Sequence, residues 1–103
     1  MSKVKVAKVS DVAEGDLKKV EVGDEPVALF KVDGKFYATT NICTHEQCEL
    51  DENYSINGDV VECTCHGSQF KVSDGSVVLP PATEPLKTYQ VSVEGEDVLI
   101  ETE

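Results

Sequence analysis

The 103-residue sequence predicts an all-β chain, an antiparallel sandwich or partly open barrel. Three observations predict it. Apolar residues recur almost everywhere with period two, the strand period. Turn residues punctuate these runs at close, regular spacing, as in β sandwiches and barrels. No segment carries three turns of helical amphipathicity; Asp11–Asp16 offers one turn at most.

Taken in order, Val4–Lys8 and Leu17–Val22 read as the first strands. Gly23-Asp24-Glu25-Pro26 breaks the second, and Val27–Val32 and Lys35–Thr40 follow on either side of Asp33-Gly34. Asp-Gly between two β-rich runs is a strong hairpin signal, because both turn positions need positive φ. Asp59–Glu62, Gln69–Val72, Leu86–Val93 and Val98–Glu101 are the later strands. Asn57-Gly58, Ser73-Asp74-Gly75 and Glu94-Gly95-Glu96 punctuate them. Asn41–Glu52 and Cys63–Ser68 are not strand-like and read as two loops projecting from the β scaffold.

Length and composition allow one domain with a single small core. With three Phe, three Tyr and no Trp, aromatic mass is thin, so a further staple such as a metal centre is expected. No run approaches the roughly 18 apolar residues of a membrane span, and the opening residues lack an export signal. A soluble cytoplasmic protein is expected. The net charge of −11 argues against nucleic acid as a partner. Residues 1–40 balance seven Lys with seven acids, whereas residues 41–103 carry two Lys against thirteen acids. The acidic part either serves solubility or steers a basic partner.

All four Cys and both His lie within residues 43–66. One loop reads Cys43-Thr44-His45-Glu46-Gln47-Cys48 and the other Cys63-Thr64-Cys65-His66-Gly67-Ser68. Three arrangements compete. A purely structural disulfide pair leaves both His unexplained and is rare in the cytosol. A zinc site accepts Cys and His, but zinc knuckles are usually Cys-x₂₋₄-Cys and four ligands suffice. A 2Fe–2S cluster with mixed ligation uses one thiolate and one imidazole from each loop, Cys43-x-His45 and Cys63-x₂-His66. Two His replace two Cys on one iron in a Rieske centre.

The chain resembles the Rieske-type ferredoxins, the small electron carriers of bacterial aromatic-ring dioxygenase systems. The likeness covers nearly the whole length. It runs through Val27–Phe30, Asp33-Gly34, Phe36-Tyr37-Ala38-Thr39, Cys43-Thr44-His45, Val61-Glu62-Cys63, His66-Gly67 and Phe70. It continues through Pro80-Pro81-Ala82 and Pro85-Leu86-Lys87-Thr88-Tyr89 to the hairpin around Glu94-Gly95. The resemblance implies one [2Fe-2S] cluster held by Cys43, His45, Cys63 and His66, the two Cys on the inner iron and the two His on the outer. It implies a β base (residues 1–40 and 73–103) with a cluster-binding subdomain inserted at about residues 41–72. Pro80 and Pro81, with Ala82, would form a loop covering the cluster.

Cys48 and Cys65 depart from many dioxygenase ferredoxins and match the spacing of Rieske proteins of cytochrome bc complexes, where such a pair forms a disulfide. The same disulfide is expected here. Ser68 also matches the bc-type motif, in which a hydroxyl donates to a cluster sulfur and raises the potential. The bc-type proteins carry a Tyr two residues on; Phe70 here can donate nothing. An intermediate midpoint potential is therefore expected. Lys71 replaces the Asp or Asn common after this Phe, a change for which the sequence offers no account.

The function expected from this resemblance is one-electron transfer by a monomer, with no catalytic pocket of its own. Its partners would be a flavin-containing ferredoxin reductase and a terminal oxygenase, docked transiently through the acidic face. The alternatives are a small Rieske subunit of a redox enzyme, nitrite reductase-like or bc-like, and a zinc-stapled interaction module.

Overall fold

The computed structural model describes residues 2–42, 48–65, 67–80 and 84–102. These form eleven antiparallel strands: β1 (Ser2–Lys8), β2 (Asp16–Val22), β3 (Glu25–Val32), β4 (Lys35–Thr40), β5 (Tyr54–Asn57), β6 (Val60–Cys63), β7 (Ser68–Lys71), β8 (Val77–Leu79), β9 (Thr88–Tyr89), β10 (Val91–Glu94) and β11 (Asp97–Thr102). Among the described residues the only helical pieces are two single 3-10 turns, Val9–Asp11 and Leu50–Glu52. Among the described residues no helix is long and apolar enough to cross a membrane.

The strands make three sheets: an outer one ordered β1-β11-β10, a central one ordered β2-β3-β4-β9, and a third ordered β5-β6-β7-β8. The all-β antiparallel expectation holds. Strand β3 explains how the layers stack. Its residues Val27, Ala28, Leu29 and Phe30 are all fully buried, because alternate side chains leave opposite faces of a strand. Val27 and Leu29 pack with Ala7, Val20, Ala38, Val98 and Ile100 toward the outer sheet. Ala28, Phe30 and Val32 pack with Leu50, Val61, Phe70, Val72 and Leu86 toward the third sheet. The single small core expected from chain length is thus two clusters, one on each face of the central sheet. Covering both faces of one strand lets a short chain build two thin cores instead of one thick one.

The Asp33-Gly34 hairpin forms as expected. Asp33 has φ of 53° and Gly34 of 75°, and Asp33 is the only non-glycine residue with positive φ among those described. The Glu14 carboxylate accepts hydrogen bonds from both turn amides, at 2.6 Å from Asp33 N and 2.8 Å from Gly34 N, so a loop nineteen residues upstream fixes the turn.

Three local expectations are corrected. Tyr54–Asn57 and Val77–Leu79 are strands that the sequence reading does not assign. The turn before β6 is Gly58-Asp59 rather than Asn57-Gly58, since Asn57 still pairs with Val60. The run Leu86–Val93 is not one strand. It pairs with β4 at Thr88–Tyr89 and with β11 from Val91 onward, changing sheets at Gln90. Gly75 makes the close approach that ties the third sheet to this run. Its φ is 75°, its amide donates to Lys71 O, its carbonyl accepts from Leu86 N at 2.8 Å, and a Cβ there would collide with the Leu86 carbonyl.

Candidate metal centre

The third sheet ends in the cysteine-bearing loops. Strand β6 delivers Cys63 at its last position, and β7 begins at Ser68, its direct partner across the ladder. Val61, Cys63, Ser68 and Phe70 alternate inward and are fully buried, apart from 1% of Cys63. The turn between the strands is closed by a 2.8 Å hydrogen bond from Gly67 N to Cys63 O. Gly67 has φ of 82°, a conformation a side chain would strain.

The first loop springs from the end of β4 and returns at Glu49. An isolated antiparallel bridge, Ile42 to Glu49, closes it. Inside that bridge Leu50 N donates to Asn41 O at 2.7 Å. The Asn41 side chain is fully buried. It accepts from Asp51 N at 3.1 Å and donates to Asp51 Oδ1 at 2.8 Å. Asn53 extends the clasp toward the second loop: its Nδ2 donates to Glu49 O at 3.2 Å, and its carbonyl accepts from Thr64 N at 3.0 Å.

Cys48 and Cys65 are joined by a disulfide with Cα atoms 6.6 Å apart. The bond ties the returning end of the first loop, next to Glu49, to the second. The three sulfurs of Cys48, Cys63 and Cys65 lie within 4.8 Å of one another. Two of them are bonded to each other, and the third, Cys63, is buried among apolar residues that include Phe70 and Val61. A buried soft sulfur suits iron or zinc and not a hard, oxygen-seeking cation. The site therefore fits a cluster that takes one thiolate from the second loop. Cys43, His45, His66, Pro81 and Ala82 lie outside the described residues. Pro80 is exposed at the end of β8.

Two contacts anchor the first loop's return segment to the central sheet. Lys19 Nζ lies 2.7 Å from Glu49 Oε1, and that hydrogen bond, with the nearby charges of Glu49, Asp51 and Glu21, raises the Lys19 pKa against a smaller opposing effect of burial. The Tyr54 hydroxyl donates a short hydrogen bond to Asp16 Oδ1. This bond, then partial burial and the Asp16 charge, pushes the Tyr54 phenol up. These contacts modify the acidic surface expected from sequence. Glu49 is compensated by Lys19 and Asp51 is held by Asn41, whereas Glu52 and Asp59 are exposed. Nothing in the local sequence marks Asn41, Asp51, Lys19 or Tyr54, because each meets its partner across ten to thirty-eight residues.

The model for the Rieske [2Fe-2S] domain matches residues 2–90. The chain belongs to the Rieske [2Fe-2S] domain family. It is 43% identical over 101 residues to the biphenyl dioxygenase ferredoxin subunit of Pseudomonas sp. (strain KKS102), covering 98% of this chain and 93% of that one. The solved Sphingomonas yanoikuyae B1 ferredoxin superposes with a TM-score of 0.91 at 31% identity, over 99% of this chain and 100% of that one. A chain in a complex of reduced oxygenase and oxidized ferredoxin in carbazole 1,9a-dioxygenase superposes with a TM-score of 0.88 at 37% identity, over 95% and 91% of the two chains. The resemblance read from the Cys/His loops is therefore right. This Rieske domain is an electron carrier of the ferredoxin kind and not a catalyst, and its cofactor is a Rieske-type iron–sulfur cluster.

Proposed function

We propose that this Rieske ferredoxin carries one electron at a time from a flavin-containing reductase to a terminal oxygenase. It would do so as a cytoplasmic monomer with one [2Fe-2S] cluster. The ligands are Cys43 and His45 from the first loop and Cys63 and His66 from the second. Residues from about 41 to 72 form the cluster-binding unit on a base of residues 1–40 and 73–103, from which β8 reaches over to pair with β7. The observation that carries the reading is the pairing of the two loops by Cys48–Cys65, with the buried Cys63 sulfur beside the bond.

The cluster, when bound, supplies a site that accepts and releases a single electron. The chain's own residues do the rest. Cys63 supplies a thiolate from a buried position, where water is excluded. The disulfide limits how far the loops can part, and so limits reorganisation when the charge changes. Ser68 places a hydroxyl opposite Cys63 on the same buried face. The exposed acid Glu52 presents negative charge beside the first loop's return, and exposed Asp59 adds to it from the turn at the other end of β6, which favours brief docking on basic surfaces. The biphenyl dioxygenase relative is a ferredoxin subunit, and one solved relative belongs to a complex of oxygenase and ferredoxin; both support the choice of partner class.

Iron, labile sulfide and zinc assays on the purified protein test the cofactor. Two irons and two sulfides per chain are expected. Zinc without iron would contradict the reading and leave a stapled binding module.

A further inference from the structure

The first loop is closed by a clasp that lies outside the ligand residues. Asn41 uses every polar group it has. Its backbone N–H donates to Pro26 O at 3.0 Å, on β3, and its carbonyl accepts from Leu50 N at 2.7 Å. Its side-chain oxygen accepts from Asp51 N at 3.1 Å, and its amide donates to Asp51 Oδ1 at 2.8 Å. Three of these four bonds span the mouth of the loop that carries residues 43–48. The fourth fixes that mouth to strand β3, whose middle residues Val27–Phe30 are fully buried.

The chemistry singles out asparagine. The residue must accept from an N–H and donate to a carboxylate at once, from a fully buried position. Aspartate would oppose the Asp51 carboxylate, leucine would leave the Asp51 amide without its acceptor, and glutamine is one carbon too long. Buried polar groups left without partners are costly. The clasp also reaches the second loop, because Asn53 binds Glu49 O with its side chain and Thr64 N with its carbonyl. Thr64 adjoins both Cys63 and Cys65.

We propose that the Asn41–Asp51 clasp is a positioning device for the cluster. It sets the spacing of the two ends of the first loop and, through Asn53, its register against the second, so that the ligands of both loops converge before the cluster binds. Asn41 and Asp51 are positioning residues and touch no iron. The inference rests on the reading that both loops supply cluster ligands.

The test is the rate at which the reduced and oxidised holoprotein lose iron to a chelator at 25 °C, measured beside far-UV circular dichroism. Three variants are compared: Asn41→Leu, Asp51→Ala and the conservative Asp51→Asn. Outer residues that orient metal ligands typically change metal affinity roughly 10- to 100-fold when lost. Asn41→Leu and Asp51→Ala should therefore release iron about tenfold faster or more. Asp51→Asn keeps an acceptor for the Asn41 amide and should stay within about twofold of the natural protein. The EPR signal of Asp51→Ala should also broaden as the loop spacing loses definition, and that of Asp51→Asn should not. Asp51 is half-buried, so if Asn41→Leu does not fold, the comparison of Asp51→Ala with Asp51→Asn still decides. Natural release rates in Asp51→Ala, equal acceleration in Asp51→Asn, or release that only tracks global unfolding would each overturn the clasp. Zinc in place of iron in the natural protein would instead overturn the cluster reading. The same order of release rates, measured on zinc, would then still support the clasp.

Discussion

Cys63 and Ser68 stand directly opposite each other across the β6–β7 pair, both buried and on the same face. A hydroxyl there stands opposite Cys63, the ligand proposed above, and a donated hydrogen bond to cluster or ligand sulfur favours the reduced, more negative state. One hydrogen bond is worth about 1 kcal/mol, and 59 mV corresponds to a tenfold change for one electron. Ser68→Ala should therefore lower the midpoint potential by roughly 40 mV. Protein-film voltammetry checks this, and an unchanged potential would remove Ser68 from the account. Phe70, two residues on, is fully buried in apolar contact and adds no such donor.

The Cys48–Cys65 bond closes a span of seventeen residues. Alkylation of the native holoprotein without reductant, followed by mass spectrometry, should label neither cysteine. A cross-link over a loop of this length stabilises by about 3 kcal/mol. Cys48→Ser with Cys65→Ser should lower the urea midpoint accordingly while leaving the ligands in place. Two labelled cysteines in loaded protein would contradict the pairing.

Tyr54 and Asp16 give stability a defined pH dependence. The hydrogen bond to Asp16 raises the Tyr54 pKa in the folded state, so folding favours the protonated phenol. Its contribution is complete below the unfolded value of about 10. It is lost as pH rises through the higher folded value. Tyr54→Phe should cost about 1 kcal/mol near neutrality, and the difference should vanish in strong alkali. Thermal unfolding of both proteins from pH 7 upward checks the sign. A gap that widens above pH 10 would contradict it.

Much of this molecule is legible in its sequence, and the reasons for the rest are physical. Asp33-Gly34 announces its hairpin because the positive φ requirement is local. Strand β3 is visible because burial on both faces leaves an unbroken apolar run. The two cysteine loops stand out because their residue types are rare and spaced for ligation. Strand β8 escapes because Val77–Leu79 is too short for period two to emerge. The change of sheet at Gln90 escapes because neither proline nor glycine marks it. Asn41, Asp51 and Lys19 escape for another reason: their roles come from contacts set by the stacking of sheets, and each residue alone is an ordinary polar side chain.

Exposed Glu52 and Asp59 predict a salt-sensitive encounter with basic partners. Electron transfer from the reduced protein to a basic cytochrome c, followed by stopped flow, should slow roughly tenfold between low and high salt. Glu52→Gln with Asp59→Asn should flatten that dependence. A rate indifferent to salt would remove these acids from docking.

The central claim is that two loops, joined by Cys48–Cys65 and closed by the Asn41–Asp51 clasp, hold a His-ligated 2Fe–2S centre through Cys43, His45, Cys63 and His66. The EPR spectrum of the dithionite-reduced protein tests it most directly. The account predicts a rhombic signal whose average g is low, as imidazole ligation of one iron requires. A signal of the all-cysteine ferredoxin kind, or a silent spectrum with zinc bound, would contradict it.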